Sequence, residues 1–134
     1  MSSIVEGWLE SARADLKNIE YIIHDADLAH IVAFHSQQCV EKSFKALLEH
    51  KQKEVPKQHS TLKLYGLVSE HIEVFINEEL LSAFDDLYID SRYPGNFGLM
   101  PYGKPTIKDA EEFNELALYI YEYVKKKINT NSPI

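Results

Sequence analysis

The 134-residue chain holds a single cysteine and only five glycines and five prolines, and most of the last two types crowd into one segment. With Cys39 alone, no internal disulfide and no cysteine zinc site can form. Its place inside a helical pattern reads as a small buried packing residue rather than a nucleophile. Apolar runs are short, far below the roughly 20 residues that span a bilayer. The N-terminus also lacks a basic segment followed by an apolar stretch. These absences point to a cytoplasmic protein with no membrane partner.

Other absences narrow the chemistry. No Glu-x-x-His pair occurs and no two histidines stand four apart on one helix, so no metal site is expected. No Gly-x-Gly-x-x-Gly, P-loop or Gly-x-Ser-x-Gly motif is present, which leaves dinucleotide binding and the common serine hydrolase plan without support, and no cofactor is expected. A net charge of −7 argues against a globally basic nucleic-acid binder, so any anion site must be local. There is no internal repeat, no low-complexity tract and no alternation of the kind a strand needs.

What is present is helical periodicity. Val5, Trp8, Ala12, Leu16, Ile19 and Ile23 mark one face of a first helix over Ile4 to Ile23, with Ser2 or Ser3 as its cap. HDAD at His24 to Asp27 breaks it, and a second helix runs from about Leu28 to His50. A polar loop with Pro56 follows, then a short helix carrying Leu62, Leu67, Val68 and Ile72. The fourth helix spans about Ile76 to Ser91, with Leu80, Leu81, Phe84, Leu87 and Tyr88 inward. The fifth is capped by Thr106, with Asp109 in its first turn, and its stripe is Ala110, Phe113, Ala117, Ile120, Tyr121, Val124 and Ile128. The expected fold is all-α, an up-and-down antiparallel bundle of about five helices in one domain over residues 1–129, with 130–134 a flexible tail.

The second helix mixes apolar and polar residues unusually. Phe34, Leu48, Phe44, Ala33, Val40 and Leu47 share an arc of about 140°, and Gln37 and Glu41 fall inside it. Each of those two should act as a buried polar anchor meeting a polar group from a neighbouring helix, since an unpartnered carboxylate among phenylalanines is costly. Beside the arc, Lys45, Gln38, Glu49, Lys42 and His35 line a polar face. It is either a solvated edge or a ligand-facing wall in which His35, Gln38, Lys42 and Lys45 suit a phosphate or nucleotide. Ser36, Cys39, Ser43 and Ala46 leave the remaining side narrow enough for a close helix.

Between the last two helices, DSRYPGNFGLMPYGKP at 90–105 holds three of the prolines and three of the glycines. Pro94 ends the fourth helix, while the glycines and prolines together shape an ordered turn that keeps Arg92, Tyr93, Phe97 and Tyr102 available. Arg92 either binds phosphate or forms a salt bridge with Asp90, Asp85, Asp86 or Glu41, and both roles can coexist. The other histidines, His24, His30, His50, His59 and His71, read as surface, capping or packing residues.

FHSQQCVEKSFKALLEH at 34–50, VPKQHSTLKL at 55–64 and LYIDSRYPG at 87–95 resemble, in that order and spacing, the HEPN family of small helical domains. WLESARADL at 8–16 fits the family's opening pattern, so the likeness covers nearly the whole chain. The helix motif maps onto Phe34, His35, Gln37, Gln38, Glu41, Lys42 and Lys45, and the turn motif onto Ser91, Arg92, Tyr93 and Pro94. The resemblance implies a helical bundle that commonly forms a homodimer, with a cleft for nucleotide or RNA. It also implies pairing with a nucleotidyltransferase, often as toxin and antitoxin.

Nuclease members of the family carry an Arg followed, after four to six residues, by a His. Here the eligible positions after Arg92 hold Phe97, Gly98 and Leu99, and no histidine follows His71. The expectation is therefore a binding protein for a nucleotide or RNA phosphate, with Arg92, Tyr93, His35, Gln38, Lys42 and Lys45 at the ligand and no assigned catalytic residue. The alternatives are a metal-independent endoribonuclease toxin using another acid or base, such as Tyr93, Tyr102 or His35, and a purely structural interaction module.

Overall fold

A computed structural model describes residues 2–90 and 104–130, the side chains of Ile89 and Asp90 excepted. Five α-helices follow in order: α1 (Ser3–Ile22), α2 (Ala29–His50), α3 (Thr61–Val68), α4 (Glu78–Asp90) and α5 (Ile107–Thr130). Single 3-10 turns lie at Ala26–Leu28 and Ser69–His71, and no strand occurs among the described residues. The fold is all-α.

Local chemistry sets the helix starts. Ser2 accepts from the Val5 amide at 3.1 Å, and Ser60 accepts from the Lys63 amide at 3.1 Å. Asn77 Oδ1 accepts from the Glu79 amide, 2.9 Å. Thr106 and Asp109 form a reciprocal capping box, each side chain accepting from the other's amide at 3.1 and 2.8 Å. At HDAD, Asp25 accepts from the Asp27 amide and starts the turn that separates α1 from α2.

α2 is the central helix, in contact with α1, α3, α4 and α5. That is why fourteen of its residues are buried and the single polar face the periodicity implies is covered along much of its length. The small side works as the sequence indicates: Ser36, Cys39, Ser43 and Ala46 are buried, and Cys39 Sγ lies 3.9 Å from the Ala117 carbonyl oxygen of α5. α1 crosses α2 in the opposite sense, so that Trp8 meets Lys45 while Asp15 meets His35 and Lys42. Phe84 of α4 and Phe113 of α5 pack edge to face at 5.2 Å in the core.

One local expectation changes. α3 is only 8 residues long and buries Thr61, Leu64 and Val68, which leaves Leu67 exposed. The polar loop from α2 to α3 doubles back along α2. Gln52 takes a left-handed φ of 58°, the Lys53 amide bonds the Leu48 carbonyl at 2.9 Å, and the chain runs back until His59 lies beside Gln37 and Glu41. α5 runs to Thr130, and residues 131–134 of the expected tail lie outside the described residues.

Candidate functional site

Two polar clusters lie along α2. The first sits on the seam with α1, where Asp15, buried, accepts from Lys42 Nζ at 2.8 Å and meets His35 Nδ1 at 2.8 Å. The three side chains join positions 20 and 27 residues apart in sequence. A buried carboxylate needs such partners, because desolvation without them would cost several kcal/mol.

The second cluster centres on Glu41. Lys45 Nζ, one turn along α2, reaches Glu41 Oε2 at 3.0 Å and lies 5.5 Å from the centre of the Trp8 ring. Gln38 Nε2 donates to Gln37 Oε1 at 2.7 Å and stands 3.4 Å from Glu41 Oε1. Gln37, fully buried, donates through Nε2 to the His59 carbonyl at 2.6 Å. Both anchors are thus partnered by α2 itself and by the returning loop, not by a neighbouring helix as the arc implied.

His59 closes this cluster on its outer side. Its Nδ1 lies 3.3 Å from both Glu41 oxygens, yet its side chain is 61% exposed. Its ring stands 5.8 Å from that of Tyr88 on α4, which is also 5.9 Å from Phe34. The backbone around His59 is fixed from both sides. Gln37 holds its carbonyl, and the next residue, Ser60, donates to Asp85 Oδ2 at 2.8 Å. Asp85 also accepts from the Thr61 and Leu62 amides at 2.8 and 3.1 Å, so this carboxylate anchors the start of α3. Glu41 and Asp85, two of the carboxylates open to Arg92 on sequence grounds, therefore already hold other partners.

The six anticipated ligand residues divide accordingly. His35 and Lys42 gather on Asp15, whereas Gln38 and Lys45 gather on Glu41. Arg92 and Tyr93 lie outside the described residues, as do Phe97 and Tyr102. Two carboxylates face two ammonium groups, so the lysines are neutralised within the protein. Lys45 is buried, and Lys42 keeps only 20% of its side chain exposed. The group turned outward is His59, which sequence reasoning placed among the surface, capping or packing histidines. Its Nδ1 is directed at Glu41, and Nε2 is the ring nitrogen on the side away from that carboxylate. Asp15 was also missed as a site residue. Its only signal was a carboxylate among the apolar positions of α1. Among the described residues, no three His, Cys, Asp or Glu side chains gather as a metal ion would require.

Comparison with known proteins gives a consistent result. A model of the HEPN domain matches residues 5–127. Among solved structures, TT1696 from Thermus thermophilus is 26% identical with a TM-score of 0.74, the match covering 94% of this chain and 99% of that one. ST0689, described as an archaeal HEPN homologue, is 28% identical with a TM-score of 0.65, covering 96% of this chain and 99% of that one. No curated protein matches the sequence.

Proposed function

The chain belongs to the HEPN domain family, and on that premise we propose that it binds a nucleotide or an RNA phosphate where α2, α4 and the returning loop meet. It acts as a cytoplasmic homodimer and as partner of a nucleotidyltransferase in a module of the toxin and antitoxin type. The observation that carries the binding reading is the exposed His59, held by Glu41 and packed beside Tyr88. A preorganised imidazole next to an aromatic ring suits a phosphate and its attached base, the first by hydrogen bonding and the second by stacking. Arg92 and Tyr93, five residues or fewer beyond Tyr88 in the chain, belong to the same proposal on the strength of the turn motif, as a planar cation and a ring of the kinds such a ligand takes. Gln38 and Lys45 hold Glu41 behind His59, and His35 and Lys42 hold Asp15 on the α1 side of α2, Lys42 being the nearer of the two ammonium groups to solvent.

Titration of the purified protein with ATP, GTP and short RNA, followed for binding and cleavage together, tests this reading. Saturable binding without cleavage is expected, weakened at least tenfold in Arg92→Ala and in His59→Ala, a loss of about 1.4 kcal/mol. No saturable binding of any of the three would overturn it. The same geometry favours one second reading, a metal-independent endoribonuclease. An exposed imidazole oriented by a carboxylate is the arrangement of a general base, and RNA cleavage lost in His59→Gln would establish that reading instead.

A further inference from the structure

α5 carries two stripes of helical spacing. The first, Ala110 to Ile128, is buried in the bundle. The second runs Glu112, Leu116, Tyr119, Tyr123, Lys126 and Thr130, in alternating steps of four and three residues, the spacing at which a helix offers a seam to another helix. It is open. Two surface clefts lie in line along it, one of about 580 Å³ that includes Leu80, Glu112, Leu116 and Tyr119 in its wall. The other, about 250 Å³, is bounded by Tyr123, Lys126, Lys127 and Thr130.

The rim of this surface carries the most exposed large apolar side chain among the described residues, Phe75, at 86%. Its segment is placed from both sides: the Glu73 amide donates to the Tyr123 hydroxyl at 2.9 Å, and Asn77 lines the larger cleft. One exposed aromatic is ordinary. Leu80, Leu116 and Tyr119 give the larger cleft an apolar wall bordered by Glu112 and Glu115, which is the pattern of an interface.

The charges identify the partner. Glu112 and Glu115 flank one end and Lys126 and Lys127 the other. Glu112 lies seven residues before Tyr119 and Lys126 seven after it, about 10.5 Å in each direction at about 1.5 Å per residue. We infer that this face is self-complementary and is covered by α5 of a second copy, antiparallel across a two-fold axis near Tyr119. That arrangement sets Glu112 against the partner's Lys126 and Lys127, Leu116 against the partner's Tyr123, and Tyr119 against its own equivalent. A basic peptide would match only the acidic end, and a nucleic acid would be repelled there. The net charge of −7 opposes indiscriminate self-association, so attraction between copies must come from such local pairs. The inference rests on the homodimer part of the proposed function and adds the surface.

Sedimentation equilibrium of charge-reversed variants tests it. All four positions are on the surface, and thermal melts confirm that each variant folds. The wild-type chain is expected to dimerise. Glu112→Lys with Glu115→Lys, and separately Lys126→Glu with Lys127→Glu, should each weaken the dimer by roughly tenfold or more. The first variant is basic along the whole stripe and the second acidic, so mixing the two should yield a heterodimer tighter than either homodimer. A wild-type chain that stays monomeric would overturn both this surface and the homodimer reading. A dimer that neither double reversal weakens, or a mixture that gives no heterodimer, would overturn the surface alone and leave the ligand site untouched.

Discussion

Lys45 and Glu41, one turn apart on α2, form a 3.0 Å ion pair in which each side chain is only 6% exposed. Attraction at this depth roughly offsets the cost of desolvating two charges, but removing one partner leaves the other buried and alone. Glu41→Gln is therefore expected to destabilise the fold by about 3–5 kcal/mol, and Lys45→Met by a similar amount. The double variant should cost clearly less than the sum, because neither charge then remains unpaired. Urea denaturation of the four proteins gives the coupling directly. Additive losses would mean that the two charges are held by Trp8 and His59 independently of each other.

Asp15 tests the neighbouring cluster in a different way. Lys42 and His35 both reach it at 2.8 Å but retain some access to water, so Asp15→Asn should cost less, about 1–3 kcal/mol. The same change removes a negative charge beside Lys42. Binding of ATP or RNA phosphate should then tighten modestly, because the protein is one charge less negative while Asp15 lies on the α1 seam rather than beside His59. Calorimetric titration of wild type and Asp15→Asn checks this. Weaker binding in the variant would mean that Asp15 positions Lys42 for the ligand rather than competing for it.

The helices were legible in the sequence because each buries one stripe against the rest, as Val5, Ala12, Leu16 and Ile19 do on α1. Gln37 and Glu41 were legible for the same reason, being polar residues at apolar positions. Lys45 was not. Its ammonium is buried only because α1 brings Trp8 over it, a relation between helices that the periodicity of α2 cannot contain. His59 escaped for a similar reason: its contact with Glu41 depends on the loop doubling back along α2. The second stripe of α5 was hidden by its composition, since Glu112, Tyr119 and Lys126 read as solvent-facing until their position on an open face is known.

Cys39 offers a probe of the whole core. Burial, with the Asp15 carboxylate adding to it, pushes its thiol up to about 12. A raised value favours the protonated form in the fold, so this contribution to stability is complete below about 9, the ordinary value, and is lost as pH rises towards 12. At pH 8 the native thiol should react with a disulfide reagent far more slowly than a free thiol, at a rate set by unfolding. Labelling across a urea series should track the global transition. Fast labelling without urea would show that the contact between α2 and α5 opens locally. Between pH 9 and 10, wild type should lose stability relative to Cys39→Ala, the variant that lacks the thiol.

Gln52 is the remaining point where sequence and backbone disagree. Its φ of 58° is ordinary for glycine and unfavourable for a residue with a side chain. The turn is nonetheless closed by the bonds from the Gln52 and Lys53 amides to the Glu49 and Leu48 carbonyls, the kind of helix ending in which glycine normally supplies the left-handed residue. Gln52→Gly should remove this strain at a smaller loss of unfolded-state restriction, for a net gain of about 0.5–1 kcal/mol. Gln52→Val, whose branched side chain resists this conformation, should lose about 1 kcal/mol or more. The turn also aims residues 53–60 back along α2 and so holds His59 against Glu41. The glycine variant should consequently keep its ligand titration unchanged while melting higher, whereas the valine variant should lose both stability and affinity. A valine variant that melts lower but binds as wild type would separate the turn from the placement of His59.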